Sequence, residues 1–138
     1  MSSRVLVDTN VLVDLLTDDP EWADLVERRV LRLQRSRPLV IDTLVYAELA
    51  VRYESVEALE QMIDAADLER EHVPWTAALL AGKAFEEYRR AGGAQRSPLP
   101  DFYIGAHAAV TDMALLTRDA ACYRTYFPTV QLIAPDMV

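Results

Sequence analysis

Four short aliphatic runs constrain the fold of this 138-residue chain more than any other feature. Residues 4–7, 38–41, 114–117 and 130–133 are rich in Val, Leu and Ile, and each is bounded before it could make a helix. Such runs read as buried strands. The segments between them carry the helical period instead. Ala23, Val26, Val30 and Leu33 form one stripe, and Val56, Leu59 and Ile63 a second. Ala77, Leu80, Ala81, Ala84, Phe85 and Tyr88 form the most regular one. Short strands alternating with helices call for a parallel sheet covered on both faces, because each parallel crossover needs a helix-length connection.

Local signals refine the order of elements. A helix is expected over residues 10–16. Asp19 is placed to cap the next one, with Pro20 at its first position and Glu21 in its first turn. Asp42 caps the helix that carries Glu48. Further helices are expected over 55–66, 76–90 and 120–126, and a charged stretch at 68–73 reads as a third strand. The segment "AGGAQRSPLP" breaks every pattern and delivers the chain to Asp101 at a helix start. With no repeat and no linker, residues 1–138 read as one domain.

The chain is 51% apolar and 26% charged, which excludes disordered and fibrous classes. No apolar run approaches the roughly 18 residues of a membrane span, and the first residues lack a signal-peptide core. A lone Cys122 excludes a disulfide framework and a cysteine zinc site. A soluble cytoplasmic protein is expected. The net charge of −8 argues against a broad nucleic-acid-binding surface, yet the charge is uneven. Lys83 is the only lysine among 14 basic residues; Arg28, Arg32 and Arg35 share a helical face, and Arg89, Arg90 and Arg96 flank the Gly/Pro loop. The acidic stretch 54–71 is read as a solvated face, and a local phosphate path remains open to the arginines.

Four carboxylates carry the chemistry. Asp8 closes "RVLVD" and Asp119 closes "LLTRD", both at strand exits, where an open α/β sheet presents its ligands. Asp101 follows the loop, and Glu48 lies inside an otherwise apolar helix segment. Each aspartate has a plain alternative as a helix cap or dipole partner. Glu48 has no capping alternative, though a solvated face would explain it. Acids converging at one place repel one another, and a divalent cation is the usual remedy.

Other groups fall away on geometry. Asp112 shares a helical face with Asp101 but stands roughly 16 Å along the axis. His107 lies about 240° around that helix from Asp101, so it reads as a packing or partner-contact residue. His72 has no spaced partner for a zinc site. Asp14, Asp18 and Asp19 read as solvated or capping. A dehalogenase-like phosphatase would need a second Asp two residues after Asp8, where Asn10 stands. A phospho-receiver domain would need a Lys at a late strand exit, and Lys83 is inside a helix pattern.

The segments "VLVDTNVLVDLL", "TLVYAEL", "PDFYIGAHA" and "LLTRDAACYRTYFPTVQLIAP" together resemble the PIN-domain family, specifically its VapC-like ribonuclease toxins. The match is collinear from Arg4 to Pro135. The resemblance implies a three-layer α/β/α sandwich with a mainly parallel central sheet. It implies a Mg2+- or Mn2+-dependent endoribonuclease acting on RNA through metal-activated water, commonly a homodimer and inhibited by a cognate antitoxin. The family's acidic site carries over to Asp8, Glu48, Asp101 and Asp119, and its supporting polar positions to Thr9, Asn10 and Thr117. Arg96 and Arg118 are the residues expected to grip substrate. Cys122 stands where many relatives have another Asp. Trp22, Leu25 and Tyr53 are candidates for the antitoxin groove. An inactive PIN-like module that binds RNA or protein without cutting is the alternative.

Overall fold

A computed structural model describes residues 3–15, 20–92 and 99–135. Arg96, Asp18 and Asp19 lie outside the described residues, as do the side chains of Trp22 and Cys122. Among the described residues, five strands form one sheet: β1 (Val5–Val7), β2 (Leu39–Asp42), β3 (Glu69–Glu71), β4 (Ala114–Leu116) and β5 (Leu132–Ile133). Their order is β3-β2-β1-β4-β5 and every neighbouring pair is parallel. The described residues also form seven helices that cover it: α1 (Thr9–Asp14), α2 (Pro20–Gln34), α3 (Thr43–Ala50), α4 (Val56–Ala65), α5 (Trp75–Arg90), α6 (Leu99–Thr111) and α7 (Ala120–Arg124). The architecture is the expected α/β/α sandwich.

The three central strands are buried along their whole length, which is why they read as unbroken aliphatic runs rather than alternating ones. β3 reads Glu-Arg-Glu because it is an edge strand, where charge discourages pairing with another chain. From β1 the chain winds outward through β2 to β3, then returns across β1 to lay down β4 and β5. The winding therefore reverses between β1 and β4, and the crevice beyond their carboxyl ends is the place for a ligand. That junction is stitched by a hydrogen bond from Asp8 N to Leu116 O at 2.9 Å.

Helix starts follow the expected caps in part. Asp42 accepts from Val45 N at 3.0 Å, and Ser55 from Ala58 N at 3.1 Å. Asp8 and Asp119 occupy N-cap positions of α1 and α7 but make no side-chain capping bond. Capping therefore does not account for either acid. α5 packs along α6 through aromatic contacts of Phe85 and Tyr88 with Phe102. Tyr53 packs against the core and Leu25 is half-buried. Among the described residues no helix is long and apolar enough to cross a membrane.

Gly105 permits the close approach of α6 to the segment after α7, because a β-carbon there would overlap the Phe127 ring. That ring is buried and edge-packed on Phe102, so it has little room to yield. Gly105→Ala should therefore cost about 1–3 kcal/mol of stability by overpacking. Denaturant titration checks this; an unchanged midpoint would mean that the ring can move aside.

Candidate active site

Asp8 leaves β1 directly into the crevice and is only 7% exposed. Its Oδ2 accepts from Thr117 Oγ1 at 2.9 Å, from Tyr123 OH at 2.8 Å and from Asn10 Nδ2 at 3.4 Å. Burial drives its pKa above the ordinary aspartate value. The bonds from Tyr123, Thr117 and the Thr9 backbone N–H oppose the rise, and the charge of Asp119 adds to it. Thr117, fully buried just beyond β4, is the hub of this cluster. Its hydroxyl donates to Asp8 and accepts from the Asp119 backbone N–H at 3.0 Å. Asn10 spans the same two loops, its Oδ1 accepting from Arg118 N at 3.2 Å.

α3 brings Glu48 to the rim, where Thr9 Oγ1 donates to its Oε1 at 3.0 Å. Partial burial raises the Glu48 pKa, the Thr9 bond opposes the rise, and the charges of Asp8 and Asp42 add to it. Asp101 sits in the first turn of α6, half-buried. Asp8, Glu48, Asp101 and Asp119 line one open cleft of about 800 Å3, together with Arg118 and Asp14. A second cleft of about 610 Å3, bordered by Tyr46, Arg70 and His72 beyond β2 and β3, contains none of the four.

The donors in the first cleft are oxygens, as a hard divalent cation requires. Burial and neighbouring charge raise the pKa of Asp8 and Glu48, so a cation would relieve a real electrostatic cost. Among the described residues no three His, Cys, Asp or Glu side chains are grouped closely enough to hold a metal ion. An ion that keeps several of its waters fits such a spread of carboxylates; one that demands a full protein shell does not.

Three features differ from the sequence expectation. Asp14 is not solvated: it is 7% exposed, pairs through Oδ1 with the Arg118 guanidinium, and its Oδ2 is buried without a hydrogen-bond partner among the described residues. Arg118 therefore reaches the cleft already engaged. Tyr123 had no place in the expected site, and only its aromatic character four residues after Asp119 could have flagged it. His107 is more than packing. It is fully buried, with Nδ1 3.0 Å from Asp42 Oδ2 and Nε2 2.7 Å from Glu71 Oε2. Glu71 in turn accepts from Arg4 at 3.0 Å, so the acidic stretch is not wholly a solvated face.

The sequence profile of the PIN domain matches residues 5–128. The chain belongs to the PIN domain family. This PIN domain is similar in structure to the DNA-bound VapBC of Salmonella typhimurium, with a TM-score of 0.72 and 21% identity, over 98% of this chain and 99% of that one. VapBC-1 of nontypeable Haemophilus influenzae is similar at TM-score 0.72 and 20% identity, over 95% and 97%. FitAcB of Neisseria gonorrhoeae follows at TM-score 0.66 and 18% identity, over 97% and 99%. At such identities the likeness establishes the PIN fold. No curated protein matches the sequence significantly.

Proposed function

We propose that this PIN domain is the toxin of a toxin–antitoxin pair, a Mg2+- or Mn2+-dependent endoribonuclease working in the cytoplasm as a single nuclease domain over residues 1–138. One observation carries the reading: four acids from four separate segments line one cleft at the winding reversal of the sheet. Family membership supports it, and so does the likeness to complexes named VapBC, FitAcB and a toxin–antitoxin complex of Klebsiella pneumoniae.

Asp8 and Asp101 are the principal carboxylates for the ion, with Asp119 reaching it through water. The bound ion supplies charge neutralisation at the phosphate and an activated water. Glu48, held by Thr9, serves as a further ligand or orients the attacking water. Thr117 and Asn10 hold Asp8 and the loop of Asp119 in register. Arg118 offers a guanidinium to the RNA backbone, its planar fork suited to a phosphate. Arg96 is the second proposed backbone contact. A local cationic path of this kind reconciles RNA binding with a net charge of −8. Attack of water on phosphorus with loss of the 3′ oxygen leaves 3′-hydroxyl and 5′-phosphate ends. A cognate antitoxin and a second copy of the chain complete the proposed assembly.

The test is cleavage of total RNA by the purified chain, with and without chelator, followed by analysis of the ends. Metal-dependent cuts leaving 5′-phosphates are expected. A 2′,3′-cyclic phosphate would overturn the mechanism. The looseness of the carboxylate grouping gives weight to one other reading, a PIN domain that binds without cutting. Metal-dependent cleavage that disappears in Asp101→Ala excludes it.

A further inference from the structure

Tyr123 is among the largest fully buried side chains, 1% exposed on the short helix α7. Phenylalanine would fill that space without taking a hydroxyl out of water, so the hydroxyl calls for an explanation. Its bond runs to Asp8 Oδ2 at 2.8 Å, across 115 positions of sequence. Thr117 Oγ1 at 2.9 Å and Asn10 Nδ2 at 3.4 Å converge on the same oxygen. Three donors on one carboxylate oxygen exceed its two lone pairs, and they approach from three elements: α7, the exit of β4 and the first turn of α1. The carboxylate is thereby fixed in rotation as well as in place. The Thr9 backbone N–H also bonds this carboxylate; with Oδ2 so crowded, Oδ1 is the oxygen better placed to meet a cation. Asp119 also occupies the N-cap position of α7, so the one short helix sets two of the four acids relative to each other.

We propose that Tyr123 is a positioning residue of the metal site: its hydroxyl fixes the Asp8 carboxylate so that Oδ2 is held by protein donors and Oδ1 is presented to a divalent cation. This rests on the metal-dependent reading above. Tyr123 touches neither the ion nor RNA in this role and acts through Asp8. Hydrogen-bond partners of this kind typically change metal affinity by about 10–100-fold when removed, because a free carboxylate must be ordered as the ion binds.

Tyr123→Phe removes the hydroxyl alone and keeps the packed ring. Mn2+ binding to the full chain without RNA, followed by electron paramagnetic resonance, reads the effect apart from activity; circular dichroism confirms the fold. Wild type should bind Mn2+, and Tyr123→Phe should bind it about 10–100-fold more weakly. RNA cleavage should show the same displacement along the Mg2+ concentration axis, with kcat recovered when the ion is saturating. Equal Mn2+ affinity in the two proteins overturns the role of Tyr123 and leaves the nuclease reading standing. A loss of kcat that saturating Mg2+ does not restore also overturns it, since the residue would then act on the reaction directly. Absence of Mn2+ binding by wild type overturns the metal site itself, and the positioning role with it.

Discussion

Asp8→Asn will abolish the proposed metal-dependent cleavage and, in chelator, will melt at a higher temperature than wild type. The first effect follows from the charge: an amide oxygen is a poor substitute for a carboxylate facing a hard cation, and a loss of about 10³-fold in rate is expected. The second follows from burial. Asp8 is 7% exposed and its pKa lies above the ordinary value, chiefly because desolvation penalises the ionised form. For an acid raised on folding, the native state holds a proton that the unfolded state has already released. Metal-free stability therefore falls as pH climbs from the ordinary aspartate value through the folded one, and stays lower at neutral pH. Asn carries no such cost, and its carbonyl oxygen still accepts from Thr117 and Tyr123. Mg2+ should raise the melting temperature of wild type and leave that of the variant unchanged. Equal or lower melting of the variant in chelator would mean that Asp8 is not held ionised against its surroundings.

The alternation of aliphatic runs with helical periods was enough to place β1, β2 and β4 to within a residue or two. These strands are buried on both faces, and their local composition has one explanation. β3 was harder to read because an edge strand is selected for charge, and Glu-Arg-Glu carries no hydrophobic signal. The acids at strand exits were legible for a topological reason: parallel strands deliver their following residues to one edge of the sheet, so Asp8 and Asp119 had to share a neighbourhood. What could not be read was pairing between distant side chains. Asp14 looked solvated because its partner, Arg118, lies 104 positions away. Tyr123 drew no functional reading, because its ring is core and only its oxygen is not. His107 was rightly directed away from Asp101 by helical period. Its partners, though, were Asp42, already explained as a cap, and Glu71, already explained as solvated.

His107 leads to the largest expected effect on stability. Both ring nitrogens face carboxylate oxygens, Asp42 at 3.0 Å and Glu71 at 2.7 Å, in a site where the imidazole is fully buried. Burial opposes its charge, but the hydrogen bonds to Asp42 and Glu71 outweigh burial and raise the pKa above the ordinary value. Glu71 is lowered: burial works against this, while the bonds from Arg4 and His107 prevail. The bridged side chains belong to three elements. Asp42 also caps α3, which carries Glu48, and His107 belongs to α6, which carries Asp101. A buried ion pair is weak evidence for net stability against a well-packed apolar replacement, but removing one partner strands the other. His107→Ala does the latter, leaving two carboxylates without their bridge, so a loss of about 3–5 kcal/mol is expected, with cleavage reduced as α3 and α6 shift. His107→Gln keeps hydrogen bonding without the charge and should lose less. A histidine raised on folding contributes stability that is fully present below about pH 6.5 and fades as pH rises through its folded value. The gap between wild type and His107→Gln should therefore be widest near about pH 6 and close toward alkaline pH. Urea titrations across that range check it, and a gap that stays constant with pH would show that the bridging imidazole carries no charge.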